Sequence, residues 1–250
     1  MKKDKIDLVK SRITYETFKD MASDKELSKY EKIGFPNDYR EKYEESIFNN
    51  INTILRLDRE GIIFFDVGCG CSELPKLIIK NAIKNRQNLY MVDSEEMLVH
   101  LPNKDNMVKI SGKFPDEINL PEYQNKVDAI VLYSVLQHIV LDMNPFYFID
   151  EAVKLLNDGG RLLIGDIPNI SKRNRFFASN TGLKFHQNFT KTNTNPKYEF
   201  NTLIEDKIDD SLVFAILSRY RNAGFETYLL EQPIDLPMRN RREDILIVKN

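Results

Sequence analysis

The spacing of apolar residues changes along the chain, and each change marks an element. The first sixty residues are strongly charged and carry one helical stripe, Tyr43, Ile47, Ile51, Ile54 and Leu55, at steps of three and four. Phe35-Pro36-Asn37-Asp38 precedes it as a start signal, since an Asn or Asp side chain accepts from the free N–H groups of a first turn. At Gly61 the period breaks into an unbroken apolar run, Ile62-Ile63-Phe64-Phe65, closed by Asp66 and a Gly-Cys-Gly turn. Such a run suits a strand buried on both faces, as in a parallel sheet. Leu74, Leu77, Ile78 and Ala82 then form a helical stripe. Residues 89–92 form a strand ended by Asp93, and residues 107–110 and 127–132 two more. A helix is expected from Pro145 to Leu156, closed by Gly159 and Gly160 before a strand at 161–165.

This βαβ rhythm predicts an α/β, doubly wound, mostly parallel seven-stranded sheet, with residues 1–60 as an N-terminal helical extension or lid. Residues 167–198 interrupt it with a polar stretch expected as a long loop, part of an insertion spanning 167–208. A helix from Asp209 to Gly224, with Leu212, Val213, Ile216, Leu217 and Tyr220, precedes two last strands at 227–230 and 245–248. No repeat is visible.

Charge adds exclusions. The 36 Lys and Arg nearly balance 38 Asp and Glu, so bulk charge does not favour nucleic acid. Residues 1–10 alternate charge with single apolar positions, unlike a secretory leader, and no run has membrane-spanning length, so a cytoplasmic protein without membrane contact is expected. Cys69 and Cys71 are too few and too close for a disulfide framework and lack zinc spacing; they are expected reduced, and no metal ligand set is visible. Oligomeric state is not readable.

The chemistry concentrates at Phe65-Asp66-Val67-Gly68-Cys69-Gly70-Cys71-Ser72-Glu73, where a strand passes into a helix. Gly68 and Gly70 let the backbone turn sharply and approach a ligand, with helix N-terminal amides facing the same space. A dinucleotide fingerprint would need glycine at Glu73, and no Gly-Lys-Ser/Thr follows for a phosphate loop. Asp93, 25 residues after Gly68, ends the second strand where an acid can accept from ribose hydroxyls, or could instead cap the next helix.

Asp66-Val67-Gly68-Cys69-Gly70 with Asp93 resembles motifs I and II of the class I S-adenosylmethionine-dependent methyltransferases, and the strand pattern with an antiparallel last pair resembles that family's sheet. Ser72 departs from it where many members carry glycine. The resemblance implies that residues 61–250 bind S-adenosylmethionine and release S-adenosylhomocysteine. It implies that Gly68, Cys69 and Gly70 pack against the methionine part, that Asp66 orders the turn, and that Asp93 beside Ser94 holds the ribose. Gly112, Lys113 and Phe114 would border the adenine, and Tyr133 and Ser134 the sulfonium. Arg40 or Tyr39 would close on the methionine carboxylate, unless that helix face is merely solvated.

His138, after the fourth strand, is a candidate base for a hydroxyl acceptor, with an ordinary pKa of about 6.5, or else shapes the pocket. Tyr133 and Asp166 complete the catalytic candidates. Residues 167–198 hold Lys172, Arg173, Arg175, Lys184, Lys191 and Lys197 and no acid; with Arg239, Arg241 and Arg242 they suggest an anion site or a solvated basic loop. Lys172, Arg173, Arg175, His186 and Arg241 are the candidate acceptor-binding residues. Gly165-Asp166-Ile167-Pro168-Asn169, Ser171-Lys172-Arg173, Arg175-Phe176-Phe177 and Asn240-Arg241-Arg242-Glu243-Asp244-Ile245 resemble methyltransferases of bacterial surface-polysaccharide pathways, implying O-methylation of a small, phosphorylated or nucleotide-linked acceptor. A nicotinamide-dependent oxidoreductase, an RNA methyltransferase and a noncatalytic nucleoside-binding protein stay open as alternatives.

Overall fold

The computed structural model describes residues 13–202, 204–236 and 238–250; the side chain of Asp38 and the expectation for residues 1–10 lie outside them. Seven strands, β1 (Ile63–Val67), β2 (Asn88–Asp93), β3 (Met107–Ser111), β4 (Val127–Tyr133), β5 (Leu156–Pro168), β6 (Glu226–Leu230) and β7 (Arg242–Val248), form one sheet in the order β3-β2-β1-β4-β5-β7-β6. The first five run parallel, and β7 is antiparallel to both β5 and β6. Phe64, Phe65, Ile130, Leu132, Leu162 and Leu163 are fully buried or nearly so, which is why these strands read as unbroken apolar runs.

Helices α1 (Tyr15–Ser23), α2 (Asn37–Arg40) and α3 (Glu44–Leu55) precede the sheet. The remaining helices are α4 (Glu73–Lys84), α5 (Glu95–Leu98), α6 (Leu136–Asp142), α7 (Pro145–Leu155), α8 (Ile170–Phe177), α9 (Asn180–Thr190) and α10 (Asp210–Asn222). The predicted stripe is the inner face of α3: Ile47, Ile51 and Leu55 share one core with Phe64, Ile78 and Met91. The opposite face of the sheet packs on α7 and α10 through Phe148, Ile149, Ala152, Val213 and Ile216.

Several expectations are corrected. The 35–38 start signal opens only the short α2, after Pro36 and with no side-chain cap, whereas α3 begins at Glu44. Gly159 and Gly160 lie inside β5, which starts at Leu156: the chain bends at Gly159 with φ of 81°, and the Gly159 N–H donates to the Lys249 carbonyl at 2.8 Å, which holds the bend within the sheet. Residues 167–198 are not a long loop. Asn169 Oδ1 accepts from the amides of Ser171 and Lys172 to cap α8, Ser179 Oγ accepts from Gly182 to cap α9, and Phe176, Phe177 and Phe185 pack where the two helices meet. Few apolar residues in a polar stretch hid that period. No helix among the described residues is long and apolar enough to cross a membrane.

Candidate functional site

The carboxyl ends of the parallel strands meet at one edge. Val67 pairs with Val92, Asp93 with Ser111, and Tyr133 with Gly165. A deep cavity opens there, with Asp66, Gly68, Cys69 and Gly70 on one side, Asp93, Gly112, Lys113 and Phe114 on another, and Tyr133, Ser134 and His138 on a third. Tyr15, Phe18, Ile33, Phe35 and Arg40 roof it from the N-terminal segment. The structure thus brings together the expected donor residues other than Ser94, which caps α5 by accepting from Met97 N–H.

Asp93 organises the floor. Its Oδ2 accepts from Gly70 N–H at 2.8 Å and its Oδ1 from Ser94 N–H at 2.7 Å, while Gly68 N–H donates to the Val92 carbonyl at 2.8 Å. Burial pushes its carboxyl up to about 6 against the pull of these two amides. Asp93 therefore ties the glycine turn to β2, and the expectation that Asp66 orders the turn is corrected: its carboxyl makes no hydrogen bond among the described residues. Asp66 is 4% exposed on the cavity wall, and burial first, then Asp93, raise it to about 8 despite nearby Arg40. A buried acid at that spot is suited to an ammonium group, which would restore its charge.

That arrangement has a signed consequence. A carboxyl raised in the folded state favours folding below its ordinary range, and that contribution is lost as pH rises through about 8. Asp66→Asn is expected to raise the melting temperature of the empty protein at pH 8 more than at pH 5. An equal change at both, measured by scanning calorimetry, would show that Asp66 does not titrate across this window.

Arg40 is not on a solvated face. It is 5% exposed, stacks on Phe35 and Tyr133, donates Nε to Glu44 Oε1 at 2.7 Å and Nη1 to Ser134 Oγ at 3.2 Å. Glu44 also accepts from Ser72 Oγ, so the serine that departs from the methyltransferase motif anchors the roof. The remaining donors of the five-donor guanidinium are available to an incoming carboxylate. Ser134 Oγ donates to Asp166 Oδ2 at 2.5 Å, and Arg242 Nη1 donates to the same oxygen at 3.0 Å. Ser134 and Asp166 both adopt left-handed φ, 59° and 60°, and the buried Asp244 accepts from Asp166 N–H at 2.8 Å to hold that bend.

His138 lies in the cavity with its ring edge-on to Phe18. Its Nδ1 meets the Ile13 carbonyl at 3.1 Å; a carbonyl only accepts, so Nδ1 carries the hydrogen and Nε2 the lone pair. Burial holds its pKa below the ordinary value, so the ring is neutral near pH 7. The Tyr133 phenol, pushed well up by burial and then by Asp166, stays protonated, as does the Cys69 thiol for the same first reason.

The basic candidates lie elsewhere. Lys172 Nζ donates to the Arg242 carbonyl and sits 3.8 Å from Glu243, and Arg175 pairs with Asp210; both tie α8 to its neighbours rather than lining the cavity. His186 is half-buried away from the cavity, with Nε2 at Thr194 Oγ1. Arg173 and Arg241 stack on Phe177. Sequence reasoning missed Tyr15, Phe18, Glu44, Asp142 and Gln232. Asp142 accepts from Tyr15 N–H and pairs with Lys113 at 3.3 Å. The signal for Tyr15 and Phe18 was their i, i+3 spacing after Thr14, whose capping box is completed by Thr17 in place of the usual Glu or Gln.

Comparison with known proteins bears on this geometry. Residues 65–164 match the family model described as a methyltransferase domain. No curated protein matches the chain by sequence. Among solved structures, an S-adenosylmethionine-dependent methyltransferase from Aquifex aeolicus is similar, with TM-score 0.54, 17% identity, and 89% of this chain and 97% of that chain covered. The plantazolicin methyltransferase BpumL, in complex with a monoazolic substrate analogue and S-adenosylhomocysteine, has TM-score 0.57 at 12% identity, covering 97% of this chain and 99% of its own. Its counterpart BamL, in complex with a triazolic analogue and S-adenosylhomocysteine, has TM-score 0.56 at 13% identity, with 94% of this chain and 99% of that chain covered. The chain has the Rossmann-like methyltransferase fold. The match over 65–164 includes the glycine turn, Asp93 and His138.

Proposed function

We propose that this protein transfers a methyl group from S-adenosylmethionine to an oxygen of a small acceptor. The observation that carries the reading is the Asp93 carboxylate, fastened to Gly70 and Ser94 at the floor of a cavity that also presents Asp66 and Arg40. Asp93 would accept from the ribose hydroxyls, Asp66 would face the ammonium, Arg40 the carboxylate, and Gly112, Lys113 and Phe114 would border the adenine. The sulfonium supplies an electrophilic methyl carbon and a leaving group that departs as a neutral thioether with the electron pair of the broken C–S bond.

The chain's part is alignment and removal of a proton. Well-oriented partners reach effective molarities of about 10⁵–10⁸ M. As the acceptor oxygen bonds to carbon, its proton would pass to His138 Nε2, whose lone pair the Ile13 contact leaves available. A neutral histidine supports a hydroxyl acceptor. The resemblance of the 165–177 and 240–245 segments supports a phosphorylated or nucleotide-linked building block of a surface polysaccharide.

Thermal shift tests the donor assignment. At about 100 times its Kd, S-adenosylhomocysteine would add about 2.7 kcal/mol, raising the melting temperature by roughly 5–10 °C for a chain of this size. NAD at the same concentration is expected to leave it unchanged. A shift with NAD and none with S-adenosylhomocysteine would reverse the assignment toward hydride transfer.

A further inference from the structure

Asp142 is the last residue of α6 and lies one helical turn past His138, so the two share a face, and both line the donor cavity. Its Oδ2 is engaged twice. It accepts from Tyr15 N–H at 3.0 Å and sits 3.3 Å from Lys113 Nζ, which in turn lies 5.9 Å from the centre of the Tyr15 ring. Tyr15 opens α1, and the first amides of a helix have no partner inside it. Thr14 Oγ1 accepts from Thr17 N–H, which leaves the Tyr15 amide to Asp142, 127 positions away. A carboxylate is a strong acceptor there, because its charge meets the positive end of the helix.

The same short stretch of chain reaches His138. The Ile13 carbonyl meets His138 Nδ1 at 3.1 Å, and the Phe18 ring stands edge-on to the imidazole at 4.7 Å. Fastening Tyr15 to α6 therefore keeps both Ile13 and Phe18 on the histidine. A neutral imidazole in water prefers its hydrogen on Nε2, whereas His138 carries it on Nδ1, and the partner that selects that nitrogen belongs to the roof. The far end of α1 is held independently. The Ala22 carbonyl accepts from Lys32 Nζ at 2.6 Å and from His100 Nε2 at 3.0 Å, so His100 carries a hydrogen on the opposite ring nitrogen.

We propose that Asp142 is a positioning residue for methyl transfer: by fastening the start of α1 to α6, it holds His138 as the Nδ1–H tautomer, with the lone pair left on Nε2. The proposal rests on the methyl-transfer reading and adds to it the residue that prepares the base. As the acceptor oxygen bonds to the methyl carbon and the C–S electron pair leaves with sulfur, the acceptor proton passes to Nε2 and Nδ1 keeps its own, still donating to Ile13. Of the charged groups that act on His138, Asp142 favours the resulting cation and Arg242 opposes it.

Ring nitrogen-15 spectra of the full chain test this. There are three histidines, His100, His138 and His186, and the His138 signal is identified by its loss in His138→Gln. At pH 8, where burial keeps His138 neutral, the parent is expected to show Nδ1–H. Asp142→Ala is expected to move His138 to Nε2–H while the His100 signal stays where it is. Asp142→Asn keeps an oxygen that can accept from Tyr15 N–H and should keep the parent tautomer. Hydrogen exchange of the Phe18 amide, which donates to the Thr14 carbonyl at 3.1 Å, should quicken about tenfold in Asp142→Ala and stay within about twofold in Asp142→Asn. Nε2–H in the parent, or Nδ1–H retained in Asp142→Ala, would overturn the proposal. If Asp142→Ala shifts His100 as well, the whole of α1 has come away and Asp142→Asn decides: the parent tautomer supports the proposal and its loss overturns it. S-adenosylhomocysteine added to the parent separates the two readings, since its failure to bind would bring down methyl transfer and leave the tautomer result standing.

Discussion

Asp93→Ala is expected to weaken S-adenosylhomocysteine binding by about 100-fold near neutral pH, because the side chain supports the site in two ways at once. It fixes the Gly70 amide at 2.8 Å and the Ser94 amide at 2.7 Å, and it faces the cavity where the ribose would lie. Each charge-assisted hydrogen bond lost costs about 1.5–3 kcal/mol, and each 1.4 kcal/mol is about tenfold in affinity. Asp93→Asn keeps an acceptor of the same shape, so its loss should be nearer tenfold. The effect on folding should be smaller than on binding, since burial already disfavours this carboxylate, pushing it up to about 6. For the same reason, affinity of the parent should fall as pH drops through about 6, when the carboxyl takes up a proton. Calorimetric affinities for Asp93→Ala within a factor of two of the parent would remove Asp93 from the donor site.

Gly68→Ala should lower the melting temperature by roughly 5–15 °C and weaken the donor with it. Gly68 has φ of 73°, where a side chain costs about 1–2 kcal/mol. A methyl group there would also come within 2.7 Å of Val135 Cγ2, a steric cost of about 1–3 kcal/mol in a well-packed wall. The two terms separate in a double variant: Val135→Ala removes the contact and leaves the backbone strain, so it should recover about half of the lost stability. Full recovery would mean that the left-handed turn is not strained, and none would mean that Val135 is not what the new methyl meets.

Sequence and tertiary structure divide the site between them. The apolar runs at 62–65, 89–92 and 127–132 could be read because strands buried on both faces leave no room for alternation, and the turn at Gly68 and Gly70 because only glycine relaxes at φ of 73° and 64°. Asp93 was legible for a related reason, since it ends a strand beside that turn. The capping of α8 by Asn169 and of α9 by Ser179 was not legible, because those residue types also end helices and make turns.

What the sequence alone determined is the part written in local periods and backbone demands: the βαβ series, the glycine turn, the acid after β2 and the segregation of basic residues at 167–198. Only the tertiary structure decided which charges are paired within the fold and which border the cavity. It paired Arg40 with Glu44 in the roof, gave the turn to Asp93 instead of Asp66, neutralised Arg175 against Asp210 and left Arg241 and Arg173 together on Phe177. The reason is physical: a secondary-structure period reports contacts a few residues apart, whereas the charge state and partner of a side chain depend on burial and on groups as distant as Ser134 is from Arg40, 94 positions along the chain.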